Sequence, residues 1–127
     1  MKVVAFNGSF KAKGNTFQAL QMVGAELEKE GIEFEVVHVG DKALKGCMGC
    51  NACARNQDNK CIINDGVNEW IQKMIEADGI IFGTPVHFAG MGGILKTFMD
   101  RAFYVASRMG FLRHKVGASL AVVRRAG

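Results

Sequence analysis

The pattern of apolar and polar residues changes period repeatedly along the chain. Short apolar or β-branched runs predict four buried strands, and stretches with apolar residues every three to four positions predict three helices. Asn15 or Thr16 is expected to cap the first helix, and Asn64 or Asp65 the second. The strands are predicted at 2–6, 34–39, 79–83 and 116–123, and the apolar stripes of the helices at 17–27, 67–75 and 94–103.

Strands that alternate with helices favour a parallel sheet with right-handed crossovers and helices on both faces. The expected fold class is therefore a doubly wound α/β fold with three layers, α/β/α, and the 127 residues are expected to form one domain. A five-stranded sheet of this type needs one more strand and helix than the sequence supplies, so the C-terminal strand and helix are expected to be missing. Ligands of such sheets bind beyond the carboxyl ends of the strands, where the loops carry the function.

Composition and charge narrow the class of protein. Hydrophobic residues make up 49% and charged residues 22% of the chain, which excludes a disordered or fibrous protein. The formal net charge of +4 favours anionic ligands, but the basic residues are scattered and are not interleaved with aromatic residues, so no nucleic-acid partner is expected. No apolar run approaches the roughly 20 residues of a membrane span. A cytoplasmic location without membrane association is expected.

The loop after the first strand, residues 7–16, has the composition of a phosphate site. Gly8 and Gly14 allow backbone N–H groups to converge, and Ser9, Asn15 and Thr16 supply side-chain donors at the start of a helix. The loop matches neither the nucleoside-triphosphate P-loop nor the dinucleotide fingerprint. A capped helix that follows a flexible turn is the alternative interpretation, because capping uses the same residue types.

The segment after the third strand, residues 83–93, holds the one proline of the chain and several glycines. Pro85 fixes a turn, and the residues after it are expected to form a flat shelf for a planar ring. His87 is a candidate hydrogen-bond donor to such a ring, although a histidine in a loop is more often simply solvated. In the following helix, Lys96, Asp100 and Arg101 are interpreted as helix-stabilising and interface charges.

All four cysteines lie in a loop at 46–64, in the pattern C-x2-C-x2-C-x7-C. Three thiolates at successive spacings of three suit one corner of an iron–sulfur cluster, and a fourth a few residues later closes the set. Structural zinc sites usually pair two separated C-x2-C knuckles, so this triplet favours iron. Free or redox-active thiols without a cluster are the alternative. The candidate ligands are Cys47, Cys50, Cys53 and Cys61.

These motifs together resemble the flavodoxin-like NAD(P)H-dependent FMN reductase family over the whole chain. The resemblance is carried by Gly8-Ser9 with Gly14-Asn15-Thr16, by Thr84-Pro85-Val86-His87-Phe88, and by Leu95-Lys96-x-Phe98-x-Asp100-Arg101. It implies that Ser9, Lys11, Asn15 and Thr16 bind the FMN phosphate. It further implies that Pro85, Val86, His87 and Phe88 contact the flavin ring or ribityl chain, and that residues 124–127 correspond to the third flavin loop.

The cysteine pattern resembles the iron-sulfur flavoprotein subgroup of that family, in which four cysteines bind a [4Fe-4S] cluster. The resemblance implies a homodimer or homotetramer, and an oxidoreductase that passes electrons between NAD(P)H or ferredoxin and an acceptor through FMN and the cluster. No catalytic acid or base is assigned. A cluster-free NAD(P)H-dependent FMN or quinone reductase is the first alternative, and a zinc-containing nucleic-acid-binding module is the second.

Overall fold

The computed structural model describes residues 1–125 of the chain. The elements alternate as the sequence predicts, with one extra short helix and one extra short strand. The strands are β1 (Lys2–Asn7), β2 (Glu33–His38), β3 (Gly79–His87), β4 (Gly90–Met91) and β5 (Val116–Val122), and the helices are α1 (Asn15–Lys29), α2 (Ala52–Asn56), α3 (Val67–Glu76) and α4 (Gly93–Met109).

Four strands form a parallel sheet in the order β2-β1-β3-β5. The register pairs Val3 of β1 with Phe34 of β2 and with Gly79 of β3, and Gly79 in turn with Val116 of β5. The two residues of β4 pair antiparallel with the end of β3. The carboxyl ends of β1, β3 and β5 therefore meet at one edge of the sheet, which is where the predicted ligand loops begin.

Helices cover both faces of the sheet, as the alternation of side chains along β1 requires. Val4 and Phe6 are fully buried in a core shared with α3 and α4, whereas Ala5 belongs to a second core with Leu20 of α1. The expected doubly wound, flavodoxin-like α/β fold is confirmed. Among residues 1–125, no helix combines the length and apolarity that crossing a membrane requires.

Several local predictions were wrong. The N-cap residues are glycines, Gly14 of α1 and Gly66 of α3, and not the predicted polar residues. Asp65 nevertheless accepts a hydrogen bond from the N–H of Val67, the first residue of α3, at 3.2 Å. The third strand is longer than its apolar run, because residues 84–87 continue it and the pairing of Val86 with Met91 closes a hairpin. The cysteine segment holds the short helix α2, which is flanked by left-handed residues and has too few positions to show a helical period.

Two glycines allow segments beyond the strand ends to approach each other closely. A Cβ built on Gly8 would lie 2.7 Å from the Cβ of Leu95 in α4, and Gly8 donates its N–H to the carbonyl of Gly83 over 2.8 Å. A Cβ on Gly40, just after β2, would overlap the backbone carbonyl of Ser9. The loop after β1 is therefore held between α4 and the end of β2, with no room for side chains at these positions.

Gly40→Ala is expected to destabilise the protein and displace the loop, because the overlapping atoms are backbone and overpacking costs about 1–3 kcal/mol. Urea denaturation measures the loss as a lower midpoint. Gly117→Ala is the matched control, since a Cβ on Gly117 meets nothing within 4 Å. Equal midpoints for the two variants would show that the loop after β1 gives way without cost.

Candidate functional site

The loop after β1 is organised by the side chain of Asn7, which is completely buried. Its Oδ1 accepts a hydrogen bond from the N–H of Ser9 at 3.0 Å, and its Nδ2 donates to the carbonyl of Ala12 at 3.2 Å. The Ser9 hydroxyl oxygen accepts from the N–H of Lys11 at 3.2 Å, which leaves its hydrogen free to donate. His38 Nε2 contacts the carbonyl of Ser9 at 2.7 Å. The loop thus has a fixed shape before any ligand is considered.

The N-terminus of α1 opens beside this loop. Gly14 at the N-cap offers no side chain, and among the described residues no side chain caps the first turn or places an acidic group in it. The N–H groups of the first turn carry a partial positive charge that favours an anion. Thr16, which is 2% exposed, contributes its side chain to the same place. The N–H groups at the start of α1 are therefore free to bind a phosphate group, which would take the place of a side-chain cap.

These residues line an open cleft of about 600 Å³ together with residues from the ends of β3 and β5. The cleft volume lies within the range of small-molecule and cofactor sites. Seven of the eight predicted cofactor-binding residues line it, joined by Arg124 of the predicted third flavin loop, whose residues 126 and 127 lie outside the described part of the chain. The lining residues are Ser9, Phe10, Lys11, Gly14, Asn15, Thr16, Pro85, Val86, His87, Val122, Val123 and Arg124.

The eighth predicted residue, Phe88, does not line the cleft. It lies with Ala89 at the tip of the β3–β4 hairpin, where both residues have positive φ angles of 46° and 59° and the Phe88 side chain is fully exposed. Thr84 fixes the base of the hairpin, because its hydroxyl donates to the carbonyl of Pro85 and accepts from the N–H of Gly92 at 2.9 Å. The expected flat loop is therefore a rigid hairpin whose inner strand faces the cleft.

The four cysteines line a second pocket, against the C-terminal half of α4. Cys53 of α2 is buried and Cys61 is half-buried, whereas Cys47 and Cys50 are exposed in a segment without helix or strand. All four are free thiols. Within residues 1–125, no group of three or more His, Cys, Asp or Glu side chains is arranged to hold a metal ion. The structure brings the predicted ligands to one pocket but does not gather them to ligating distance.

Arg101 of α4 forms one wall of the cysteine pocket. The prediction of a surface charge was wrong for this residue, which is 1% exposed. Its guanidinium makes a two-pronged ion pair with Asp65, through Nη1–Oδ2 at 2.6 Å and Nη2–Oδ1 at 2.9 Å. It also donates to the carbonyls of Lys45 and Ile63, each at 3.2 Å. One side chain therefore ties together both ends of the cysteine segment.

The prediction for Lys96 and Asp100 of the same helix is confirmed. Lys96 and Asp100 form an exposed ion pair one turn apart. Sequence periodicity could have separated Arg101 from them, since Arg101 lies three positions after Phe98 and four before Val105, in the middle of the buried stripe. A charged residue at such a position needs a buried partner, and that partner is supplied by Asp65, 36 positions earlier.

A role for Asn68 of α3 was not predicted from the sequence. Its Oδ1 accepts from the N–H of Cys61 at 2.8 Å, and its Nδ2 donates to the carbonyl of Cys61 at 2.9 Å. Both backbone groups of the fourth cysteine are thereby fixed to the helix. On the other side of the pocket, Arg55 donates to the carbonyl of Cys50 at 2.9 Å. The side-chain contacts of the cysteine segment serve to position the cysteines.

The contact between Arg101 and Asp65 shifts the pKa of both groups. Burial opposes ionisation of Asp65, but hydrogen bonds from Arg101 and from the N–H of Val67 outweigh it and hold the pKa of that carboxyl below its usual 3.8. Burial likewise disfavours the charge of Arg101, and the neighbouring Asp65 and Cys61 side chains more than compensate, so the pKa of the guanidinium is raised. Both groups are charged at neutral pH.

Asp65→Ala is expected to lower the free energy of unfolding by about 3 kcal/mol at pH 7, because it leaves a buried guanidinium without its counter-ion. A carboxyl whose pKa is lowered in the folded state stabilises that state above its unfolded pKa and loses this contribution as pH falls. The stability gap to wild type should therefore be full above about pH 5 and narrow below pH 4. Denaturant titrations over this range measure the gap.

Asp100→Ala is the matched control for that experiment. It removes the carboxylate of an exposed pair on the same helix, which is worth less than about 1 kcal/mol. An Asp65→Ala loss no larger than that of Asp100→Ala would contradict a clamping role for the buried pair.

Comparison with known proteins identifies the family of the chain. The family model described as NADPH-dependent FMN reductase matches residues 1–127. The chain is 45% identical over 123 residues to an iron-sulfur flavoprotein of Methanocaldococcus jannaschii, covering 96% of this chain and 62% of the relative. It is 39% identical over 102 residues to an iron-sulfur flavoprotein of Archaeoglobus fulgidus, covering 80% of this chain and 49% of the relative.

A solved structure supports the same fold. The NAD(P)H:quinone oxidoreductase of Methanothermobacter marburgensis superposes with a TM-score of 0.73 at 18% identity, covering 97% of this chain and 64% of that protein. At such identity the likeness concerns the fold alone. The chain spans about half to three fifths of the length of the two curated relatives. By its match to the family model over its whole length, the chain belongs to the NADPH-dependent FMN reductase family.

Proposed function

We propose that this chain is the FMN-binding part of an oxidoreductase that passes electrons between a reduced donor, NAD(P)H or ferredoxin, and an acceptor. The observation that carries the proposal is the single cleft where the phosphate-type loop after β1 meets the inner strand of the β3–β4 hairpin. When bound, FMN supplies the exchange between two-electron hydride transfer and one-electron transfer. The role of the chain is to bind and orient it.

The phosphate end of FMN is assigned to the loop after β1. The uncapped N-terminus of α1 supplies backbone N–H groups, Thr16 and Ser9 supply hydroxyl donors, and Asn15 and Lys11 border the cleft at its exposed side. The site holds a dianion largely through neutral donors that Asn7 has already oriented. Little ordering cost accompanies binding, because the loop is packed against Gly40 and α4.

The ring end is assigned to the hairpin. Pro85, Val86 and His87 line the cleft from the carboxyl end of β3, opposite the loop after β1. Pairing with β4 and the hydrogen bonds of Thr84 keep this wall rigid, so the ring would rest against a preformed surface. Phe88 remains a predicted contact at the rim, since its exposed ring stands at the hairpin tip.

The cysteine pocket is proposed to hold a [4Fe-4S] cluster through Cys47, Cys50, Cys53 and Cys61. The donor set suits it, because four free thiols line one pocket and a buried guanidinium faces them. The cluster would serve as the one-electron partner of the flavin. Resemblance to the family further supports assembly of the chain as a homodimer or homotetramer, and the proposed location is the cytoplasm.

A cluster-free NAD(P)H-dependent FMN or quinone reductase is the second candidate. Two observations favour it: Cys47 and Cys50 are exposed, and within residues 1–125 no three of the cysteines are arranged to hold a metal ion. In that case the thiols remain free and all the chemistry lies at the flavin cleft. Iron and sulfide content distinguish the two candidates.

Thr16→Val is expected to weaken FMN binding at least about tenfold, because one hydrogen bond to a charged group is worth about 1.5–3 kcal/mol. Its affinity for riboflavin, which lacks the phosphate, should be unchanged. Quenching of flavin fluorescence on titration with protein measures both affinities. Thr97→Val is the control, since Thr97 lies on α4 outside the cleft. Equal losses for FMN and riboflavin would refute the placement of the phosphate.

Cys53→Ser is expected to abolish the cluster after anaerobic reconstitution with iron and sulfide, whereas the wild-type chain should hold about four of each. FMN affinity should persist in the variant, because the residues lining the two pockets do not overlap. Colorimetric iron and sulfide assays give the content. Met48→Leu is the control, since Met48 lines the same pocket without a thiolate. Wild-type protein that takes up flavin but no iron would support the second candidate.

A further inference from the structure

Arg101 has one hydrogen-bond donor to spare. A guanidinium carries five N–H groups, and the four on Nη1 and Nη2 are directed to Asp65, Lys45 and Ile63. The fifth, on Nε, has no acceptor. Within the described residues it is the one buried side-chain nitrogen or oxygen that lacks a hydrogen-bond partner. Such a group costs free energy in a folded protein unless something else satisfies it.

The surroundings of Arg101 limit what that acceptor can be. Its side chain is fully buried and lines the same pocket as all four cysteines. The nearby Asn51 and Tyr104 side chains are engaged with each other, at 3.2 Å between Tyr104 Oη and Asn51 Oδ1. The other lining side chains are apolar or carry only a thioether. Sulfur, either of a cysteine or of a group that the cysteines hold, is the acceptor this pocket offers.

We propose that Arg101 is a positioning residue of the cysteine site, whose Nε–H donates a hydrogen bond to sulfur of the bound cluster and raises its reduction potential. The inference rests on the proposed function of the cysteine pocket. A donor and a buried positive charge both stabilise the extra negative charge of the reduced form. Asp65 binds the opposite edge of the guanidinium and leaves the Nε edge free for this role.

A purely structural role for Arg101 would have a different signature. If the side chain only joined the carbonyls of Lys45 and Ile63 to Asp65, its replacement would change stability and cluster content but not the potential of the clusters that form. The midpoint potential therefore separates the two roles, and it is independent of any assay of turnover.

The test is the double variant Arg101→Gln with Asp65→Asn, which leaves the net charge unchanged and no buried ion unpaired. Reconstituted wild-type and variant proteins are titrated with dithionite, which donates the one electron, and the reduced cluster is followed by electron paramagnetic resonance. At a fixed solution potential, the reduced-to-oxidised ratio is expected to fall about tenfold, a shift of about 59 mV for a one-electron couple. The FMN midpoint of the same sample is an internal reference, because Arg101 does not line the cleft.

Two further variants keep the test decisive. Lys96→Gln with Asp100→Asn removes an exposed pair from the same helix and should leave the cluster midpoint unchanged. Arg101→Lys keeps a cation facing Asp65 but lacks the Nε–H. It should also lower the cluster midpoint, and it replaces the double variant in the test if that variant fails to fold. If the cluster midpoint of either folded variant equals that of the control, the proposed role of Arg101 is overturned, but the proposed cluster site is not. A wild-type chain that assembles no cluster overturns both this inference and the proposed cluster site.

Discussion

The ion pair between the buried Arg101 and the half-buried Asp65 is the interaction on which the second half of the structure depends. A full charge inside a protein is tolerated only with a well-placed partner, and here the two-pronged geometry of the guanidinium meets both carboxylate oxygens. The same side chain also donates hydrogen bonds to the backbone carbonyls of Lys45 and Ile63, at the two ends of the cysteine segment. The segment between β2 and α3 lacks a hydrophobic period of its own, so its position is set from α4.

Helix α4 serves both pockets. Near its start, Leu95 packs where Gly8 leaves room, and the N–H of Gly92 holds the base of the β3–β4 hairpin. Further along, Arg101 and Tyr104 face the cysteines. The nine residues from Leu95 to Tyr104 correspond to about 14 Å along a helix axis. A continuous helix, anchored in the core by Phe98 and Val105, thus sets the offset between the flavin cleft and the cysteine pocket.

Sequence periodicity was sufficient for the sheet and the three main helices, because each buries one face and the period of 2 or 3.6 records it. It failed where pairing with another segment decides. The end of β3 is a strand because of β4, and Arg101 is buried because Asp65 lies beside it. Among the candidate site residues, Ser9, Asn15 and Thr16 were predicted from their chemistry, whereas Lys11 and Val86 were added by the family resemblance; all five line one cleft. Asn68 and the pairing of Asp65 with Arg101 were missed because they are contacts to other segments. Asn7 was missed because its hydrogen bonds depend on the shape of its own loop.

The separation of the two pockets bears on how the holoprotein is made. The cleft that is proposed to bind FMN is built from the loop after β1 and the ends of β3 and β5, while the cysteine pocket is built from residues 47–63 and α4. Because their walls consist of different residues, neither of the two proposed cofactors has to be in place for the other to be inserted. A chain that holds one of the two proposed cofactors would therefore accept the other without refolding of the polypeptide.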